Sequence, residues 1–160
     1  IEQGYEFKSD TDSEVICYLL KQEHYDNGKN ILDSIEAVSK KIVGSYALSI
    51  LVNGKLYAVR DPAGMKPLCI GEKDGNFIVA SETVALDVIN AKLIRDVKPG
   101  EVIYFENNEI NTHMLEITNS CDLAHCMFEY VYFWHSSTII SVKADKCQET
   151  SQSTYMSHHF

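Results

Sequence analysis

The chain has 160 residues, 45% of them hydrophobic and 23% charged, which supplies one compact core and is too short for two domains of ordinary size. Fourteen Lys and Arg stand against 23 Asp and Glu, a net charge of −9, so a general binder of nucleic acid or anionic membrane, which needs a basic patch, is excluded. No apolar run is long enough to span a bilayer.

The opening Ile1-Glu2-Gln3-Gly4 carries no basic segment followed by an apolar stretch, so it is not read as a signal peptide. It also has no initiator Met. The expectation is that the chain starts inside a longer reading frame, with a processed N-terminus as the alternative. The five cysteines, at 17, 69, 121, 126 and 147, are odd in number and irregularly spaced, which suits a reduced, cytoplasmic protein. Cys17 and Cys69 sit among apolar neighbours and are expected to be buried thiols.

Thr11-Asp12-Ser13-Glu14 matches the capping-box pattern, a hydroxyl three residues before a Glu. Val15, Ile16, Leu19 and Leu20 follow at helical spacing, so a helix is predicted from about Asp12 to Gln22. Tyr25-Asp26-Asn27-Gly28 breaks it. A second helix carries Ile31, Ile35, Val38 and Ile42 on one stripe and ends at Gly44. The pattern then changes to strands, over Ser45 to Val52 and Lys55 to Arg60, joined by Asn53-Gly54, a strong hairpin signal. Leu68 to Ile70 and Asn76 to Ala80 flank a turn at Asp74-Gly75. A short helix is predicted from Thr83 to Ile89. Val102 to Phe105 and Glu109 to His113 form a last hairpin around Asn107-Asn108. Short loops mean antiparallel pairing, so the fold class is α+β, with helices packed on antiparallel sheet. From Trp134 onward periodicity is lost, and residues 134–160 are expected to be a divergent, poorly ordered tail.

Four motifs occur in order: Phe7-Lys8-Ser9-Asp10-Thr11-Asp12-Ser13-Glu14, Gly44-Ser45-Tyr46-Ala47-Leu48, Val59-Arg60-Asp61-Pro62-Ala63-Gly64-Met65-Lys66-Pro67-Leu68, and Ala80-Ser81-Glu82-Thr83. This order resembles the class II glutamine amidotransferases. Cys126-Met127-Phe128-Glu129-Tyr130-Val131-Tyr132-Phe133, after Pro99-Gly100-Glu101, narrows the resemblance to the amidophosphoribosyltransferase family. The resemblance assigns residues 1–133 to the C-terminal part of the amidotransferase domain. It implies part of the αββα sandwich of N-terminal-nucleophile hydrolases. In that family the glutaminase domain runs on into a phosphoribosyltransferase domain, and glutamine nitrogen is transferred to phosphoribosyl pyrophosphate in the first step of purine synthesis. After Phe133 the sequence leaves the family pattern.

Members use an N-terminal cysteine as nucleophile, an Asn-Gly pair as oxyanion hole and an Arg for the glutamine carboxylate. None has a counterpart here: Ile1 is not a nucleophile, and Asn27-Gly28 and Asn53-Gly54 follow the first motif and read as turns. No catalytic residue is therefore assigned, and the isolated chain is expected to show no turnover. One site residue carries over. Asp12 matches the aspartate that binds the α-ammonium of glutamine, a charge-assisted contact. The plainer reading is an acid in the first turn of a helix, where it favours the dipole.

Arg60 and Asp61 are read as structural, at a strand end and turn, forming a buried or bridging ion pair. Ser81-Glu82 is read as a turn and helix cap. Cys121, His125, Cys126 and His135 lack the paired short loops of a zinc site. The resemblance makes Cys126 a possible iron–sulfur ligand, but the other cysteines would lie in a second domain, and a structural cysteine is the preferred reading. No cofactor is assigned to this chain; the parent family allows magnesium and an iron–sulfur cluster. The implied partners are glutamine, the phosphoribosyltransferase domain and further copies in a homo-oligomer, with no nucleic acid and no membrane. Two alternatives stay open: part of another class II amidotransferase, or a non-catalytic glutamine-binding remnant.

Overall fold

The computed structural model describes residues 7–117 and the backbone of 141–142 and 154–155. Helix α1 spans Asp12–Lys21 and continues into a π-helical turn at Gln22–Asp26. The Asn27 N–H donates to the Gln22 carbonyl at 2.9 Å, the wider i→i+5 closure of such a turn. The turn was not legible in the side-chain pattern. Glu23, its second residue, is only 4% exposed and is gripped by Lys29 and Lys41.

Helix α2 spans Ile31–Ser39. Asn30 caps it, its side-chain oxygen accepting from the Asp33 N–H at 2.9 Å. The helix stops earlier than the Ile42 stripe suggested. Lys41 and Ile42 both donate backbone bonds to the Val38 carbonyl, and this closing turn still carries Ile42 onto the core.

Strands follow at Ala47–Val52 (β1), Lys55–Arg60 (β2), Cys69–Lys73 (β3) and Asn76–Ala80 (β4). After α3, Thr83–Val88, come Lys92–Asp96 (β5), Glu101–Glu106 (β6) and Glu109–Met114 (β7). All three predicted hairpins form. Their two-residue turns place Asn53 and Gly54, Asp74 and Gly75, and Asn107 and Asn108 at positive φ, the type I′ geometry that matches strand twist. β8 (Ser141–Val142) and β9 (Thr154–Tyr155) pair as a two-residue ladder.

The strands make two antiparallel sheets, in the orders β1-β2-β6-β7 and β4-β3-β5. Because side chains alternate along a strand, each sheet feeds two cores. Tyr57, Val59 and Val102 of the first sheet pack with Leu20, Ile35 and Val38 of the helices. Their neighbours Ala58 and Ile103 point the other way, onto Ile70, Leu68 and Val97 on the side of the second sheet. Cys69 then faces Leu86 of α3 on the far side of that sheet. The order is helices, sheet, sheet, helix: the αββα sandwich. α3 lies close because β3 carries Gly71. A Cβ there would sit 2.8 and 2.9 Å from the two Leu86 methyls and 3.1 Å from the Lys92 carbonyl.

Candidate functional site

The first motif forms the entry to α1. Thr11 is the N-cap residue, but its side chain makes no capping bond. Glu14 does not close the capping box expected from the sequence. Its carboxylate instead accepts from the backbone N–H of Lys8 at 2.9 Å and of Ser9 at 2.8 Å, and from the Ser9 hydroxyl at 2.6 Å. The Ser9 and Thr11 hydroxyls bond each other at 2.8 Å, which takes the Thr11 oxygen away from the helix end. These bonds hold the Glu14 carboxyl below its ordinary range, the Lys8 N–H contributing most.

Asp12 is the first residue of α1 and is exposed. The Ser13 hydroxyl donates to its Oδ1 at a long 3.4 Å. Its carboxylate therefore faces solvent at the positive end of a ten-residue helix. That is a geometry suited to a cationic group arriving from outside.

Arg60 and Asp61 lie together but do not pair with each other, so the expected ion pair is corrected. The Arg60 guanidinium donates to three carbonyls, those of Val97 at 2.7 Å, Lys66 at 2.8 Å and Gly64 at 2.9 Å. Asp61 is fully buried and accepts from the backbone N–H of Lys66 at 3.0 Å and of Met65 at 3.1 Å. Its carbonyl takes the N–H groups of Gly64 and Gly100, each at 3.0 Å. Each side chain thus satisfies backbone groups of a loop that could not otherwise be buried. Gly64, at φ +70°, lets Pro99 approach; a Cβ there would lie 2.6 Å from the Pro99 Cγ. The reading of this motif as structural holds, by a different mechanism.

Glu82, not Ser81, is the N-cap residue of α3, and its side chain makes no capping bond. Cys69 is buried as expected, its thiol pushed up to about 11 by burial, with Asp96 and Glu82 adding to the effect. Asp96 lies opposite Cys69 across β3 and β5, and burial raises its carboxyl too. Cys17 is exposed, contrary to expectation: α1 turns it away from the stripe formed by Ile16, Leu19 and Leu20. Among the described residues no group of three or more His, Cys, Asp or Glu could hold a metal. Cys121, His125, Cys126 and His135 lie outside the described residues, as does nearly all of the predicted tail.

The structure does not gather Asp12, Arg60 and Ser81-Glu82 into one reactive cluster by any hydrogen bond or ion pair among the described residues. What it does present is a solvent-facing carboxylate in the first turn of α1, within an αββα sandwich.

That fold and motif set find direct counterparts. The glutamine amidotransferase domain family matches residues 1–88, and the chain belongs to that family. Within it, the similarity is to amidophosphoribosyltransferases. The Methanothermobacter thermautotrophicus enzyme is 50% identical over 139 residues, 87% of this chain and 29% of that protein. The Methanocaldococcus jannaschii enzyme is 40% identical over 92% of this chain and 34% of its own length. The solved glutamine phosphoribosylpyrophosphate amidotransferase from B. subtilis, complexed with ADP and GMP, superposes with a TM-score of 0.74. It is 29% identical and covers 86% of this chain and 29% of its own. The chain thus spans about a third of the length of these relatives. No helix among the described residues is long and apolar enough to cross a membrane.

Proposed function

We propose that this chain is the later part of the glutaminase domain of an amidophosphoribosyltransferase. The whole enzyme would hydrolyse the amide of glutamine to glutamate and ammonia. The ammonia would then displace pyrophosphate at carbon 1 of phosphoribosyl pyrophosphate, giving phosphoribosylamine. The observation that carries this reading is the 50% identity to the Methanothermobacter enzyme across 87% of the chain. In this assembly the chain supplies sheet, helices and one wall of the glutamine pocket. Its partners would be glutamine, the phosphoribosyltransferase domain and further copies of the enzyme, in the cytoplasm.

Within the pocket, Asp12 would accept hydrogen bonds from the α-ammonium of glutamine. Its place at the head of α1 supports this, because the carboxylate faces outward and is not committed to a cation among the described residues. The test is Asp12→Asn in the enzyme restored to full length with the flanking segments of the Methanothermobacter relative. Loss of a charge-assisted bond of about 1.5–3 kcal/mol lowers glutamine-dependent kcat/KM roughly tenfold to a hundredfold. Synthesis from free ammonia bypasses the pocket and stays near normal. An unchanged ratio of the two activities would remove Asp12 from the site.

A further inference from the structure

We propose that Glu14 is a positioning residue for glutamine, acting by pinning the Lys8–Thr11 segment so that Asp12 meets the substrate ammonium in one fixed place. This rests on the assignment of Asp12 to the glutamine pocket.

A capping-box glutamate accepts from the N-cap N–H and stabilises the helix. Glu14 reaches past the N-cap, to Lys8 and Ser9, six and five residues upstream. It therefore orders the segment outside the helix. Both of its oxygens are used: Oε1 takes the Lys8 N–H, and Oε2 takes the N–H and the hydroxyl of Ser9. The Ser9 hydroxyl passes the restraint on to Thr11, the residue just before Asp12.

Among the described residues, little else holds this segment. Lys8, Ser9, Asp10 and Thr11 are all exposed, so no apolar burial fixes them. Phe7 is anchored by an edge-on contact with Tyr18, at 5.5 Å between centroids, which fixes one end of the segment and not its middle. Fixing a residue's backbone carries an entropic cost. With Glu14 in place that cost is met on folding. Without it, the cost falls on substrate binding and weakens it. The loss therefore appears in KM for glutamine, with kcat preserved.

The same full-length enzyme carrying Glu14→Ala, Glu14→Gln and Asp12→Asn tests this. Glu14→Ala raises KM for glutamine on the order of tenfold with kcat nearly unchanged, and leaves ammonia-dependent synthesis alone. Glu14→Gln keeps one acceptor oxygen of two and falls between wild type and Ala. If Asp12→Asn alters the ratio of activities and Glu14→Ala does not, the positioning role is overturned while the pocket assignment stands. If Asp12→Asn leaves the ratio unchanged, the pocket assignment itself fails. A second measurement on the 160-residue chain reads the pinning directly: amide hydrogen exchange at Lys8 and Ser9 accelerates in Glu14→Ala. Unchanged protection at both amides would overturn the proposal whatever the kinetics show.

Discussion

Arg95, near the end of β5, and Glu101, at the start of β6, meet through two parallel hydrogen bonds of 2.8 and 2.9 Å. The pair closes the turn that carries the chain from one sheet to the other. Glu101 is 2% exposed and also accepts the Lys98 N–H at 2.8 Å. The planar guanidinium fits the carboxylate fork, so this is the bidentate geometry that Lys could not reproduce.

Glu101→Ala leaves the Arg95 guanidinium and the Lys98 N–H without that acceptor. Arg95 remains one-third exposed, so water recovers part of the loss. The expected destabilisation is about 2–3 kcal/mol, below the range for a fully buried pair. Lys55 and Glu106 form an exposed pair on the first sheet and serve as the control. Lys55→Ala there is expected to cost less than about 1 kcal/mol. Urea unfolding of the two variants checks the contrast. Equal losses would show that Glu101 contributes no more than a surface charge.

Glu23 gives a pH dependence whose sign can be worked out. Lys29 first, then Lys41 and Asn27, hold its carboxyl at about 2, against an ordinary value of 4.5. The folded state therefore binds this proton less readily than the unfolded state. Its contribution to stability is fully present above about pH 5 and is lost as pH falls towards about 2. Glu23→Gln removes the charge at every pH. The stability gap between wild type and this variant should shrink steadily from pH 5 to pH 2. A gap that stays constant over that window would show that the two lysines do not favour the ionised form.

How much of this was legible beforehand depends on how local each signal is. The helix stripes and the three two-residue turns are written in neighbouring residues, and they formed where expected, apart from the early end of α2 at Ser39. β5 was missed because Lys92-Leu93-Ile94-Arg95-Asp96 has no hairpin partner beside it. It pairs with β3, across α3, and with a register shift at Ile70 and Gly71. The π-helical turn was missed for a similar reason: Glu23 is held by Lys41, 18 residues away. At the head of α1, the capping pattern gave Glu14 the wrong partner. A capping pattern records spacing, but not that the chain bends back to offer Lys8 and Ser9 instead. Arg60 was misread likewise, since backbone carbonyls leave no mark in a sequence.

Cys69 carries one chemical consequence. With its thiol pushed up to about 11, the reactive thiolate is present at neutral pH on the order of one molecule in ten thousand. Buried between β3 and Leu86, this sulfur is inert in the folded chain, both as a nucleophile and as a target for an alkylating reagent. Cys17, exposed on α1, has no such protection. Timed alkylation should label Cys17 promptly and Cys69 only as the second sheet and α3 come apart, so that the rate at Cys69 becomes a clock for that opening. Equal labelling rates at the two positions would mean that α3 does not shield β3 in solution.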